Sequence, residues 1–231
     1  MKKSITVAAL LLLFITVSQA QNPYTETRNV SGFSKVGFAV AGEVFINLGQ
    51  GYSVVLEGDK DYIEDIETRV SGNELQIKRN KWFDSGNKRV TVRITMPSLE
   101  GISVSGSGKV TVNDPLRGKD LDVAISGSGK AFLGDVTLTD VECHISGSGS
   151  LNIAGTGSID VLEVNISGSG DYKGEAAKVG TLRASISGSG SCDCYVTDLI
   201  KAAISGSGSI WYSGDPKIDA AISGSGKVRM K

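Results

Sequence analysis

Residues 125–133 read Ile125-Ser126-Gly127-Ser128-Gly129-Lys130-Ala131-Phe132-Leu133, and the Ser-Gly-Ser-Gly at its centre occurs seven times in the chain. The copies begin at Ser105, Ser126, Ser146, Ser167, Ser187, Ser205 and Ser223, giving steps of 21, 20, 21, 20, 18 and 18 residues. So regular a step over more than half of the chain marks a repeat architecture. The flanks carry the second half of the signal. Immediately before the unit stand Val104, Ile125, Ile145, Ile166, Ile186, Ile204 and Ile222, and two residues earlier Ile102, Val123, Cys143, Val164, Ala184, Ala202 and Ala220. Apolar residues also return two and four places after most units, as Ala131 and Leu133 do here. Period-two alternation on both sides makes each unit a corner between two β-strands.

A strand of about five residues buries too little surface to stand alone, so each repeat has to stack on its neighbours. One repeat of some 20 residues fits one coil of a parallel β-helix, with equivalent residues roughly 4.8 Å apart along the axis. The predicted fold is therefore all-β, a parallel β-helix of Ser-Gly-Ser-Gly coils with an N-terminal β-rich cap. A flexible Gly/Ser linker is the alternative. Ordering fourteen glycines costs on the order of 7–14 kcal/mol relative to alanine, and a linker has no need of an isoleucine strand in every repeat. In the corner reading, glycine permits positive φ and close backbone approach, and the serine hydroxyls are expected to bond to neighbouring rungs. A left-handed hexapeptide helix would also make 18-residue coils, but its apolar residues recur every six positions rather than every two.

Outside the repeats, Lys2 and Lys3, the apolar run 5–17 and the small residues ending at Ala20 read as a secretory signal peptide, residues 1–20. The run is too short for a permanent membrane span. Residues 21–100 are expected to supply starting coils and the cap, continuous with the 101–231 helix. Strands are predicted at 32–40, 43–48, 53–57, 74–78 and 89–96, and one amphipathic helix over 59–70 carries Ile63, Ile66 and Val70 on a common face. At the far end, Lys227, Arg229 and Lys231 would discourage end-to-end stacking.

The formal net charge of -1 offers no basic face for nucleic acid. Three cysteines, Cys143, Cys192 and Cys194, fall on the inward register and read as small buried hydrophobes, not as metal ligands. Function has to sit on outward columns. Asp122, Glu142 and Glu163 stack in the middle coils with His144 and Asn165 beside them, which is either solvated surface or a cation or sugar-hydroxyl site. Phe132 and Trp211 share another outward column, four coils apart, and Trp82 and Phe83 lie in an N-terminal loop; exposed aromatics of this kind seat sugars or protein partners. Other chemistry finds no match. The Gly-rich turns lack the Asp of calcium-binding nonapeptides, no Gly-Lys-Ser/Thr follows them, and nothing places an activated serine near the single histidine. No cofactor or metal site is predicted.

The chain resembles the Bacteroidetes-type head GIN domain family, described as auto-transporter adhesins. The residues that carry the resemblance are Gly32-Phe33-Ser34-Lys35-Val36-Gly37, Glu74-Leu75-Gln76-Ile77-Lys78, and Val92 to Leu99 running into Ile102 and the first unit, with the repeats that follow. The resemblance implies a right-handed, exported β-helical protein. The family has no established activity, so no catalytic residue carries over. The expected function is a non-enzymatic, adhesin-like binding protein of the envelope or cell surface (periplasmic, surface-bound or secreted). Its expected partner is a glycan or another envelope component on a flat β-helix face. The alternatives are a polysaccharide lyase or hydrolase on a β-helix, by fold analogy, and a purely structural spacer.

Overall fold

A computed structural model describes residues 23–79 and 88–231. The signal-peptide expectation at 1–20 and the aromatic candidates Trp82 and Phe83 lie outside the described residues.

The chain is an all-β solenoid of about six turns with stacked coils. Equivalent residues of consecutive repeats pair in parallel and in register. Ile125 sits beside Ile145, and the column runs on through Ile166, Ile186, Ile204 and Ile222; Ser126, Ser146, Ser167, Ser187, Ser205 and Ser223 form the next one. The strand before each unit builds a first face and the strand after it a second. A third face begins at Leu116–Arg117 and continues through the starts of Val136–Gly147 and Gly157–Gly168. The inward columns are buried along the stack as far as the last rung, and among the described residues no polar or charged one is buried with them.

The two glycines of the unit do different work. The first holds a left-handed φ, +116° at Gly168, and a Cβ there would lie 2.6 Å from the carbonyl oxygen of Gly147 in the coil before. The second keeps an ordinary φ but faces inward: a Cβ on Gly170 would lie 2.3 Å from Cγ2 of Ile145. The isoleucine ahead of each unit therefore occupies the space left by the second glycine of the next coil. The serine hydroxyls are not what joins the rungs at the corner. The bonds are instead made by backbone, Ser169 N–H to Gly147 O at 2.8 Å and Asp171 N–H to Gly149 O at 3.0 Å. The unit's serine side chains make no rung-to-rung bond among the described residues.

The change from 20- to 18-residue steps has a local cause. Gly174 pairs with Cys194 but Lys178 with Tyr195, so three residues drop out; one is regained between Val196 and Leu199. The adjustment falls away from the glycine corner, which leaves the first two faces in register.

The N-terminal segment is threaded out of sequence order. Lys35–Ala39 lies between Glu74–Arg79 and Gly101–Gly106, and Gly42–Leu48 between Val90–Met96 and Lys109–Val112. The rung formed by Glu74–Arg79 and Val90–Met96 is then covered by antiparallel strands, Ile66–Ser71 on the one and Ser53–Gly58 on the other, with Tyr24–Arg28 outside that. Arg28 fastens this cap by donating to the carbonyls of Ile63 and Ile66 at 3.0 and 3.2 Å. The helix predicted over 59–70 is much shorter. Asp59 caps Lys60–Glu64 by accepting from Tyr62 N–H at 3.1 Å, and the chain is a strand again from Ile66. The Gly72–Asn73 turn folds Ile66–Ser71 back onto Glu74–Arg79. Pairing along a sheet edge outweighs the helical spacing of Ile63, Ile66 and Val70, and the β-branched Thr68 and Val70 suit it.

Inside the stack, Tyr172 lies over Cys192 and Gly174 over Cys194. All three cysteines are free and buried. Burial pushes the Cys143 thiol up to about 12. Cys192 is raised as well, first through its hydrogen bond with Cys194 and then through burial. Such thiols stay protonated and unreactive. Gly174 makes room for the Tyr172 ring, since a Cβ there would lie 2.4 Å from the hydroxyl. That hydroxyl is buried with no partner. An unpartnered buried hydroxyl costs about 1–3 kcal/mol, so Tyr172→Phe is expected to leave stability unchanged or to raise it by about 1 kcal/mol in urea unfolding. A loss of comparable size would show that the hydroxyl is bonded.

Candidate functional site

Parallel register carries the outward columns of the first face directly into space. Asp122 pairs with Glu142, Glu142 with Glu163, and Glu163 with Arg183, so three carboxylates and a guanidinium form one row along the axis. His144 and Asn165 stand in the adjacent row. Each bonds to the acid of its own strand: His144 Nε2 lies 2.7 Å from Glu142 Oε1, and Asn165 Nδ2 donates to Glu163 Oε1 at 2.9 Å. Period two explains this, since residues i and i+2 share a face. The five candidates Asp122, Glu142, His144, Glu163 and Asn165 are thus neighbours on one surface.

The three acids also line a groove of about 690 Å³ at the corner between the third and first faces. Its walls are Lys35, the segment Pro97–Glu100 and the turn around Arg117–Asp120. Asp140 and Arg183 complete the charged lining. Lys35 Nζ is 2.5 Å from Asp122 Oδ2. The hydrogen bond to Asp122 raises the Lys35 ammonium above its ordinary value, and partial burial opposes the shift. A lysine raised on folding contributes stability throughout the neutral range, and that contribution is lost as pH climbs through the raised value. Both partners are substantially exposed, so Lys35→Met is expected to cost less than about 1 kcal/mol at neutral pH. The difference from the parent chain should vanish in strong alkali; a difference that persists there would mean the loss comes from packing.

Sequence reasoning missed Asp120, Asp140 and Lys35. The first two stand two residues before Asp122 and Glu142, and reading the alternation one step further back would have reached them. Lys35 carries no such signal, because only the out-of-order threading sets it beside the repeats. Phe132 and Trp211 lie on the second face, away from the groove. Their column runs Phe132, Asn152, Lys173, Asp193, Trp211, so three polar residues separate the rings. Lys109 sits over the Phe132 ring at 5.2 Å, and Trp211 lies between Asp193 and Arg229. Among the described residues, no group of three or more His, Cys, Asp or Glu is arranged to hold a metal ion.

A parallel β-solenoid with a capped end, glycine corners and a charged groove on one flank defines the class of protein. The particular family follows from comparison: the profile described as "Putative auto-transporter adhesin, head GIN domain" matches residues 32–216, and the chain belongs to that family. Among solved structures it is similar to one described as a "putative lipid binding protein" from Parabacteroides distasonis, at 23% identity and TM-score 0.72, covering 92% of this chain and 98% of that one. It is also similar to one described as a "putative adhesin" from Bacteroides fragilis, at 22% identity and TM-score 0.73 with the same coverage. A third, described likewise and from Parabacteroides merdae, is 19% identical with TM-score 0.72, covering 92% of this chain and 97% of that one. At these identities the likeness is one of fold. No curated protein matches the chain. Among the described residues no helix is long and apolar enough to cross a membrane.

Proposed function

We propose that this is an exported, adhesin-like binding protein of the envelope or cell surface, which takes a glycan or another envelope component on the first face of the solenoid. The observation that carries the reading is the groove that brings Asp122, Glu142 and Glu163 together with Lys35 and Arg183. A polyhydroxylated ligand needs acceptors and donors side by side, and charged groups make the stronger hydrogen bonds. A row of such groups in parallel register also offers the same contact repeatedly along the axis, which suits an extended polymer. Membership of a family described as adhesins supports an outward-facing role. Lipid binding is the description of a fold neighbour, and a lipid headgroup is itself an envelope component. The purified chain is expected to retain ligands from a panel of envelope and cell-surface glycans, and Glu142→Lys and Glu163→Lys to weaken retention by about tenfold or more. A panel on which nothing binds, or binding indifferent to both changes, would sink the reading.

The same convergence of acids and bases favours a second reading, a polysaccharide lyase or hydrolase. Asp122, Glu142 and Glu163 would then supply acid–base chemistry, with Lys35 and Arg183 holding an acidic sugar. It predicts chain cleavage of acidic or neutral polysaccharides that Glu142→Ala abolishes. Unchanged cleavage in that variant excludes the site.

A further inference from the structure

The two ends of the solenoid differ. Antiparallel strands cover the N-terminal end. The other end is the rung of Lys217–Gly224 and Lys227–Met230, which among the described residues pairs on one side only. Every residue of Lys217–Gly224 is exposed. Ile222 continues the column of Ile204, which is 2% exposed, yet is itself 44% exposed; Ile218, next to the fully buried Ile200, is 46% exposed, and Met230 is 62% exposed. An apolar rung with free N–H and C=O groups is a template for another strand.

We infer that this rung docks a second copy of the chain, end to end, about a twofold axis through the 223–226 corner. Lys217–Gly224 of each copy then runs antiparallel to Lys227–Met230 of the other. A contact about a twofold axis uses the same rung of both copies, so it closes as a dimer. A twofold axis perpendicular to the stack keeps inward residues inward, and one such pairing also matches charge across the contact. Setting Lys227–Met230 against itself places Arg229 opposite Arg229, a like-charge clash. The corner axis instead sets Asp219 opposite Arg229 of the second copy, with Ile218 facing Met230 and Ala220 facing Val228. Lys231 takes no part, since its ammonium is held by Glu175 and Asp193. The basic residues that discourage stacking onto a copy of themselves thus have one acid to meet, and it stands on the other strand of the rung.

The contact is small. Strands of eight and four residues at roughly 3.3 Å per residue give about 40 Å of edge, and a core about 10 Å deep makes it on the order of 400 Å² per copy. That is about half the standard interface, a size typical of weak, transient contacts.

Sedimentation of the purified chain from roughly micromolar to millimolar concentration is expected to show a reversible monomer–dimer equilibrium. Asp219→Arg should raise the dissociation constant by about tenfold or more, and Arg229→Asp in the same chain should bring it back to within about threefold. Met230→Lys, at an exposed site, should weaken the dimer by a similar factor and provides a second variant if Asp219→Arg changes the circular dichroism. A chain that stays monomeric throughout, a dimer indifferent to these changes, or assemblies that keep growing with concentration would each overturn the inference. Groove variants should leave this equilibrium unmoved, so it can fail or stand apart from the proposed ligand.

Discussion

Gly168→Ala is expected to destabilise the protein by about 2–5 kcal/mol, the sum of a left-handed φ imposed on alanine and an overlap that backbone has to relieve. Gly168 sits at φ +116°, and the nearest atom to a Cβ, 2.6 Å away, is the Gly147 carbonyl oxygen. That oxygen accepts the Ser169 N–H bond joining the two coils. It cannot retreat without loosening the ladder on both sides. Ser169→Ala, one residue on and exposed, should change stability by less than about 0.5 kcal/mol. Urea unfolding followed by circular dichroism measures both. If Gly168→Ala unfolds within about 1 kcal/mol of the parent chain, on the order of a typical point mutation, the glycine corner is not what holds successive coils together.

Isoleucines in one column should respond very differently according to their rung. Ile166 is 2% exposed, between Ile145 and Ile186, and Ile166→Ala is expected to cost about 2–4 kcal/mol through lost burial and the cavity left behind. Ile222 has a matching flank, Ala-Ala-Ile-Ser-Gly-Ser-Gly against Val-Asn-Ile-Ser-Gly-Ser-Gly, but is 44% exposed on the open rung. Ile222→Ala should cost less than about 1 kcal/mol in dilute solution, where any dimer has dissociated. Equal losses at the two positions would mean that the end rung is covered in the monomer. The contrast separates a property of the repeat from a property of its place in the stack.

The corner, the alternating strands and the columns were legible because in-register parallel stacking repeats one local pattern. Each Ile-Ser-Gly-Ser-Gly specifies a strand, a turn and the gap that accepts the preceding coil's isoleucine. From that it followed that Asp122, Glu142 and Glu163 would be neighbours, without any knowledge of the rest of the chain. The N-terminal segment has no such internal copy to compare with. Ile63, Ile66 and Val70 suit a helix by spacing, and only the edge offered by Glu74–Arg79 makes 66–71 a strand.

The groove divides along the same line. Its floor is periodic and could be read from residue spacing. Two of its walls, Lys35 and Pro97–Glu100, come from segments outside the repeats, and Lys35 reaches Asp122 only because Lys35–Ala39 is inserted between two strands that follow it in sequence. Period and polarity of side chains are local quantities, carried by each repeat wherever it lies. Which edge a non-repeating strand joins depends on competition between all available edges, and that competition is settled only in the folded chain.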